Sequence, residues 1–260
     1  SRQVTMTMKG PSGDVRWFPD GRRIAGFYFG SANGPGSIFI LNAETGEIER
    51  NLQEDLMANY NVLDVSPDGK WLATGGNSST VNLWDTESWK LAAKLEGHQR
   101  PLMAVRFHPD GNWLASSSSD STIRIWDLAT QRELRKLTDH QQPVTGLSWS
   151  ADGSRLASAC WDFTARVWDG STGVFLREFR GHTARVANVH LSPDGTQLAS
   201  AAGDGTFRVW DVASTPVVQT LDVQRRGSGL TAAWHPNGQR AVVTLDGRWS
   251  VWDVVRGKVV

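Results

Sequence analysis

Short runs of alternating apolar and polar residues, separated by Gly, Pro, Asp and Ser, make up nearly the whole chain. From Met103 to Phe107 the apolar side chains fall on alternate positions, and they do so again between Thr122 and Asp127 with Ile123 and Ile125. A period of two sends successive side chains to opposite faces, so these runs predict β-strands. Between them Pro109-Asp110-Gly111 predicts a tight turn, because proline presets φ, aspartate bonds its own backbone and glycine accepts positive φ. One unit therefore reads as strand, turn, strand at Trp113 to Ser117, tight turn at Asp120, strand to Trp126, and strand at Glu133 to Leu137.

The unit recurs at a fixed interval. A Trp-Asp pair closes it at 84, 126, 168, 210 and 252 for the tryptophan, a constant step of 42 residues. Gly97-His98 returns as Asp139-His140 and Gly181-His182, and Pro109-Asp110-Gly111 as Ala151-Asp152-Gly153 and Pro193-Asp194-Gly195. Weaker copies of the turn stand at Pro19-Asp20-Gly21, Pro67-Asp68-Gly69 and Pro236-Asn237-Gly238, which makes six copies, the first ending in Leu41-Asn42. A four-stranded antiparallel unit of about 42 residues is too small to bury both faces alone, so neighbouring copies must stack.

These copies resemble WD-repeat units, the blades of a β-propeller, over nearly the whole chain. Gly-His, 27 intervening residues and Trp-Asp occur intact at 97/98 with 126/127 and at 181/182 with 210/211, and Asp139 replaces the glycine in a third copy. The tandem Pro-Asp-Gly-x-x-Leu-Ala-Ser style is similar to bacterial members of the family, often sensory or scaffold regions of larger chains. The resemblance implies an all-β fold in which residues 1–260 form a single propeller domain. Six blades are expected, with residues 2 to 7 supplying the outer strand that closes the last blade. A seven-blade ring truncated at the C-terminus is the rival, because Lys258-Val259-Val260 reads as copy six's own outer strand. Copy one carries a Gly-rich insertion near Ser31 to Gly36. Copy two has Leu56 and Ser78 where His and Asp are expected, and copy six has Gln224 or Arg225 near the His position.

Composition narrows the class further. The formal charge is zero and the pI near 7.0, so no global field favours nucleic acid or an anionic membrane. No eighteen-residue apolar window exists and Ser1-Arg2-Gln3-Val4-Thr5 lacks a secretory core, so neither anchorage nor export is expected from this sequence. The absent initiator Met suggests a piece of a longer chain. A lone cysteine, Cys160, excludes an internal disulfide and fits a reducing compartment such as the cytoplasm.

Each regular copy carries a constellation with the ingredients of a catalytic triad. His98, Ser116, Asp120 and Trp126 form one set, His140, Ser158, Asp162 and Trp168 a second, and His182, Ser200, Asp204 and Trp210 a third. Ser, His and Asp could serve as nucleophile, base and orienter. They could equally form a directional relay, since indole only donates, carboxylate only accepts, and hydroxyl and imidazole do both. A catalytic triad is needed once and a staple in every blade, and the resemblance implies that this tetrad is internal, so the structural role is expected. His108, His190 and His235 lack metal-ligand spacing, and no phosphate loop, dinucleotide fingerprint or calcium loop occurs. Catalytic residues, metal and cofactors are accordingly not expected. The ladder Arg124, Arg166 and Arg208 shares the parity of the tryptophans and is expected to pack or pair.

Function is expected where the copies differ. By resemblance, the Gly-His connections and the turns before the Asp gather on one propeller face. Those positions hold Arg100, Gln142, Trp161, Arg185 and Arg226, and at the place of Trp161 other copies carry Ser119, Gly203 and Leu245. An aromatic ringed by Arg and Gln has the composition of an interface hot spot. Local packing over a neighbouring turn is the bland alternative for Trp161. The sequence thus points to a non-catalytic scaffold that binds a protein or peptide partner through this face. A propeller enzyme using the channel mouth, and a nucleic-acid binder using Arg100, Arg185, Arg225 and Arg226, are the competing classes.

Overall fold

In the computed structural model the described residues are 15–28, 37–52, 60–214, 217–222, 231–235, 238–245, 248–254, 256 and 258–260. They form strands and no helix, gathered into four-stranded antiparallel sheets in chain order. The first sheet holds Val15–Trp17 (β1), Arg23–Tyr28 (β2), Ser37–Asn42 (β3) and Ile48–Leu52 (β4). The second holds Tyr60–Val65 (β5), Trp71–Gly76 (β6), Val81–Asp85 (β7) and Leu91–Leu95 (β8). The third is Leu102–Phe107 (β9), Trp113–Ser118 (β10), Ile123–Asp127 (β11) and Arg132–Leu137 (β12). The fourth is Val144–Trp149 (β13), Arg155–Cys160 (β14), Ala165–Asp169 (β15) and Phe175–Phe179 (β16). The fifth is Val186–Leu191 (β17), Gln197–Ala202 (β18), Thr206–Asp211 (β19) and Val217–Asp222 (β20). The sixth is Thr231–Trp234 (β21), Arg240–Leu245 (β22), Arg248–Asp253 (β23) and Lys258–Val259 (β24).

Two local features fix the strands. In the first hairpin of the third sheet Gly111 sits at φ 78°, where a side chain is strained, while Asp110 Oδ1 accepts the Asn112 N–H at 2.8 Å. A register shift then recurs just before the tryptophan of the third strand, at Ile125/Trp126, Val167/Trp168 and Val209/Trp210. This bulge re-aims the indole at the same place in each sheet.

Consecutive sheets pack through their first strands, β1 on β5, β5 on β9, β9 on β13, β13 on β17 and β17 on β21. The apolar core lies between sheets. Trp168 of the fourth sheet packs with Ala115, Ile123 and Ile125 of the third, and Trp210 of the fifth with Ala157, Ala165 and Val167 of the fourth. Second strands are covered on both faces, which is why Ala115, Ala157 and Ala199 are wholly buried and small. Fourth strands are mostly exposed, as in β12 with only Leu137 buried.

At the end of the chain β24 pairs with β23, Val259 opposite Trp252 and Lys258 opposite Asp253, so Lys258 and Val259 hold the fourth position of the sixth sheet. The expected closing strand at residues 2 to 7, the insertion at 31 to 36, Leu56, and Gln224 to Arg226 lie outside the described residues.

Candidate functional site

In the third sheet the turn after β8 presents His98 to the middle of β10 and to the β10–β11 turn. Asp120 Oδ2 lies 2.9 Å from His98 Nδ1, Ser116 Oγ lies 2.8 Å from His98 Nε2, and the Trp126 indole N–H donates to Ser116 Oγ at 2.8 Å. The carboxylate can only accept, so Nδ1 carries the proton. Nε2 then accepts from the serine hydroxyl, whose oxygen accepts from the indole. The fifth sheet repeats this with His182, Asp204, Ser200 and Trp210 at 2.9, 2.7 and 2.8 Å. In the fourth, His140 Nε2 meets Ser158 Oγ at 2.7 Å and the Trp168 indole donates at 2.9 Å, but His140 Nδ1 stands 3.4 Å from Asp162 Oδ2.

The arrangement matches a Ser-His-Asp triad in connectivity and differs in access. Ser116, Ser158 and Ser200 are 0% exposed, and each hydroxyl oxygen already accepts an indole N–H. A nucleophile in that position cannot reach a substrate carbonyl.

Electrostatics agree with a neutral imidazole on an ionised carboxylate. Burial lowers the affinity of His98, His140 and His182 for a proton, outweighing the neighbouring carboxylate. Burial opposes ionisation of Asp120 and Asp204, yet hydrogen bonds from threonine, backbone and imidazole bring both down to about 2. Asp162 is lowered in the same way, burial again opposing, by His140 and Thr164.

Sequence reasoning missed a fifth member of each relay. The hydroxyls of Thr122, Thr164 and Thr206 donate to Oδ1 of Asp120, Asp162 and Asp204 at 2.7, 2.6 and 2.7 Å. The signal was present, since a threonine follows each aspartate by two residues at the repeat step. It also missed bonds that join one sheet to the next. Asp64 Oδ2 accepts the Phe107 N–H at 2.8 Å, the Trp149 indole donates to Arg106 O at 3.2 Å, Ser148 Oγ accepts from Leu191 N at 3.1 Å, and the Trp234 indole donates to His190 O at 2.9 Å. Burial pushes the Asp64 carboxyl up even though Arg106 and Arg16 pull it down, and Arg16 Nε donates to its Oδ1 at 3.1 Å.

The arginine ladder is engaged internally. Arg124 pairs with Glu133, Arg166 bonds Glu178 at 2.8 Å and Asp162 at 3.3 Å, and Arg208 Nε donates to Thr206 at 3.3 Å. This explains the Gly of Gly-His: a Cβ on Gly97 would stand 2.5 Å from Arg124 and 3.2 Å from Trp126. In the outer copies the relay is partial. Trp84 donates to Thr74 at 2.9 Å, with Ser78 bonded to Thr80 O at 3.3 Å, and Trp252 turns to Gln219 at 3.2 Å.

Donor atoms of His140, Cys160 and Asp162 lie within 4.8 Å of one another. Each is committed to protein: His140 to Ser158, Asp162 to Thr164 and Arg166, and the Cys160 thiol to Gln142 O at 3.2 Å. Burial pushes that thiol up to about 12, and Cys160 occupies the place where Ser118 bonds Arg100 O at 2.9 Å in the third sheet. The donor set therefore acts as a hydrogen-bonded staple, with a guanidinium already on the carboxylate oxygen.

The turn beside this staple departs from its equivalents. Ser119, Trp161 and Gly203 all donate their N–H to the same carbonyl position, Pro101 O, Pro143 O and Arg185 O, at 2.9, 3.0 and 2.9 Å. On that shared backbone Trp161 is half-buried and carries Arg185 against its ring, Cζ to centroid 3.8 Å. Arg100, Gln142 and Arg185 are exposed, and Arg226 lies outside the described residues. Phe163, not singled out in the sequence, sits in the same turn at φ 70° and is 45% exposed, where Ser121 and Gly205 occupy the equivalent places at 69° and 79°.

No helix among the described residues is long and apolar enough to cross a membrane, which leaves β-barrels aside. Comparison with known proteins gives matches to the family "WD domain, G-beta repeat" at residues 54–85, 89–127, 131–169 and 173–211. The last residue of each match is the aspartate of a Trp-Asp pair. The chain is also 38% identical over 63 residues to the "Anaphase-promoting complex subunit cdc20" of Dictyostelium discoideum, covering 24% of this chain and 13% of that protein. With four repeats matched over more than half its length, the chain belongs to the WD-repeat family.

Proposed function

We propose that this chain is a non-catalytic interaction scaffold that binds a protein or peptide partner through the rim bearing its Gly-His connections and Asp turns. WD repeats generally mediate protein–protein contacts, and the relative named above is by its title a subunit of a multiprotein complex. Arg100, Gln142, Trp161, Arg185 and Arg226 are the proposed contact residues, and the relays hold the turns that carry them. One observation carries the reading: a turn whose backbone is common to three sheets bears Trp161 and Phe163 in one of them and serine or glycine in the others. Repeat geometry does not require those rings. A tryptophan anchor is worth about 2 kcal/mol or more on truncation, roughly thirtyfold in affinity. Trp161→Ala is expected to weaken capture of the partner at least thirtyfold by titration calorimetry while its melting curve stays near wild type. Normal affinity, or a loss matched by unfolding, would return Trp161 to local packing.

The same reading takes residues 1–260 as one six-bladed domain, cytoplasmic, with residues 2 to 7 covering the part of β23 that Lys258 and Val259 do not pair, rather than filling the whole fourth position as the sequence alone leads us to expect. An open sheet edge invites aggregation, so removing residues 1 to 8 is expected to cause association visible by light scattering. A stable monomer would count against closure by that segment.

A further inference from the structure

Along the inner-strand side of the described connections that carry His98, His140 and His182, every exposed charge is a cation, which the repeat does not dictate. Each connection between sheets runs from an outer fourth strand to the inner first strand of the next sheet. The exposed charges before the buried histidine, on the outer-strand side, are mixed: Glu96, Asp139 and Arg180, the last paired with Glu178 of β16. The exposed cations Arg100 and Arg185 come after the histidine, on the inner-strand side. The carboxylates of the neighbouring turns, Asp120, Asp162 and Asp204, are turned into the relays and cannot neutralise them.

Arg185 is the better placed of the two. Its guanidinium rests against the Trp161 indole and has no hydrogen-bond acceptor among the described residues. A stacked guanidinium keeps its N–H edge available for a carboxylate and loses little freedom on binding one. Two residues beyond Trp161, Phe163 keeps a large exposed ring on left-handed backbone. Such a conformation is strained for a bulky residue, and its equivalents are Ser121 and Gly205. A cation held against one ring of a turn that exposes a second ring selects a particular occupant.

Building on the proposed scaffold role, we infer that the turn of the fourth sheet and Arg185 together read an acidic segment of a partner protein, one with an Asp or Glu carboxylate next to an apolar side chain. The carboxylate docks on the guanidinium edge of Arg185 and the apolar side chain on Phe163. Gln142 and Arg100, on the two preceding connections, extend the contact along the segment.

The test is selection of phage-displayed random linear nonapeptides on the immobilised chain, followed by binding of the synthetic consensus to wild type, Arg185→Gln, Phe163→Ser and Trp161→Ala. Melting curves of all four proteins serve as folding controls. Expected is enrichment of Asp or Glu beside an apolar residue, with affinity falling about tenfold or more in each variant and in a peptide whose acids are replaced by Asn or Gln. Rising salt should weaken the wild-type complex. Enriched peptides that lack acids but lose binding with Trp161→Ala would overturn the acidic assignment and leave the scaffold face standing. No enrichment, or peptides indifferent to all three substitutions, would overturn both.

Discussion

The third and fourth sheets share an interior almost residue for residue and differ at one turn. Both align Trp, Ser, His, Asp and Thr in a buried relay, and both place a third-strand tryptophan after the same bulge. Where the third carries Ser119 and Ser121, the fourth carries Trp161 and Phe163. Where the third has Gly97, the fourth has Asp139, and there Arg166 reaches the relay carboxylate while His140 stands half an ångström or so farther from it than His98 does from its own. The relay tolerates change around it because its hydrogen bonds are local and directional, and turn side chains are free to vary because the backbone bond beneath them is common to both sheets.

Acidification tests the shared part and should have the largest effect, since it acts on three sheets at once. The relay histidines titrate below 6.5 and their carboxyls below 3.8 in the folded chain. The unfolded chain therefore binds more protons, and stability falls as pH drops. The histidine contribution, fully present above about pH 6.5, is lost first. The carboxylate contribution, present above about pH 4, is lost on approach to pH 2. Urea midpoints from pH 8 to 3 would show this, and a midpoint unchanged between pH 7.5 and 5 would remove the histidine part.

Cutting one relay at a time distinguishes the two sheets. His98→Ala is expected to cost about 2 to 3 kcal/mol, because it orphans Asp120 and Ser116 in the tighter relay, and His140→Ala about 1 to 2, because Arg166 still holds Asp162. Equal midpoint shifts would show that the longer His140 contact has no energetic meaning. Smaller still is Gly97→Ala, expected to cost about 1 kcal/mol as Arg124 is pushed off its site. Asp139→Ala, where no glycine has been kept, should stay within about 0.5 kcal/mol by the same measurement.

Phe163→Asn probes the turn alone. Asparagine tolerates left-handed backbone better than phenylalanine, so thermal unfolding should rise slightly, by about 0.5 kcal/mol. Partner binding should fall at the same time. A variant that gains stability and keeps affinity would detach the strained ring from function.

Much of this was legible beforehand because it is periodic. A step of 42 residues marks each third-strand tryptophan and the hairpin turns from Pro67 to Pro193, and the same step carries Thr122, Thr164 and Thr206, whose hydroxyls have no catalytic association to single them out. What was not legible has no period. Asp64 and Ser148 occupy one strand position with unrelated side chains, and their side-chain bonds to the neighbouring sheet alternate with indole bonds from Trp149 and Trp234 to the backbone carbonyls of Arg106 and His190 at that same position.

The sequence by itself determined the strand order, the turns and the membership of each relay, because these depend on side-chain period and on donor and acceptor chemistry within one unit. Only the tertiary structure decided that Arg185 rests on Trp161 and that Arg166 joins Asp162, and it chose between two strands the sequence offered for the edge of β23 by placing Lys258 and Val259 there. Those contacts form across turns, outer strands and sheet boundaries, where distance in space is set by packing and no local pattern encodes it.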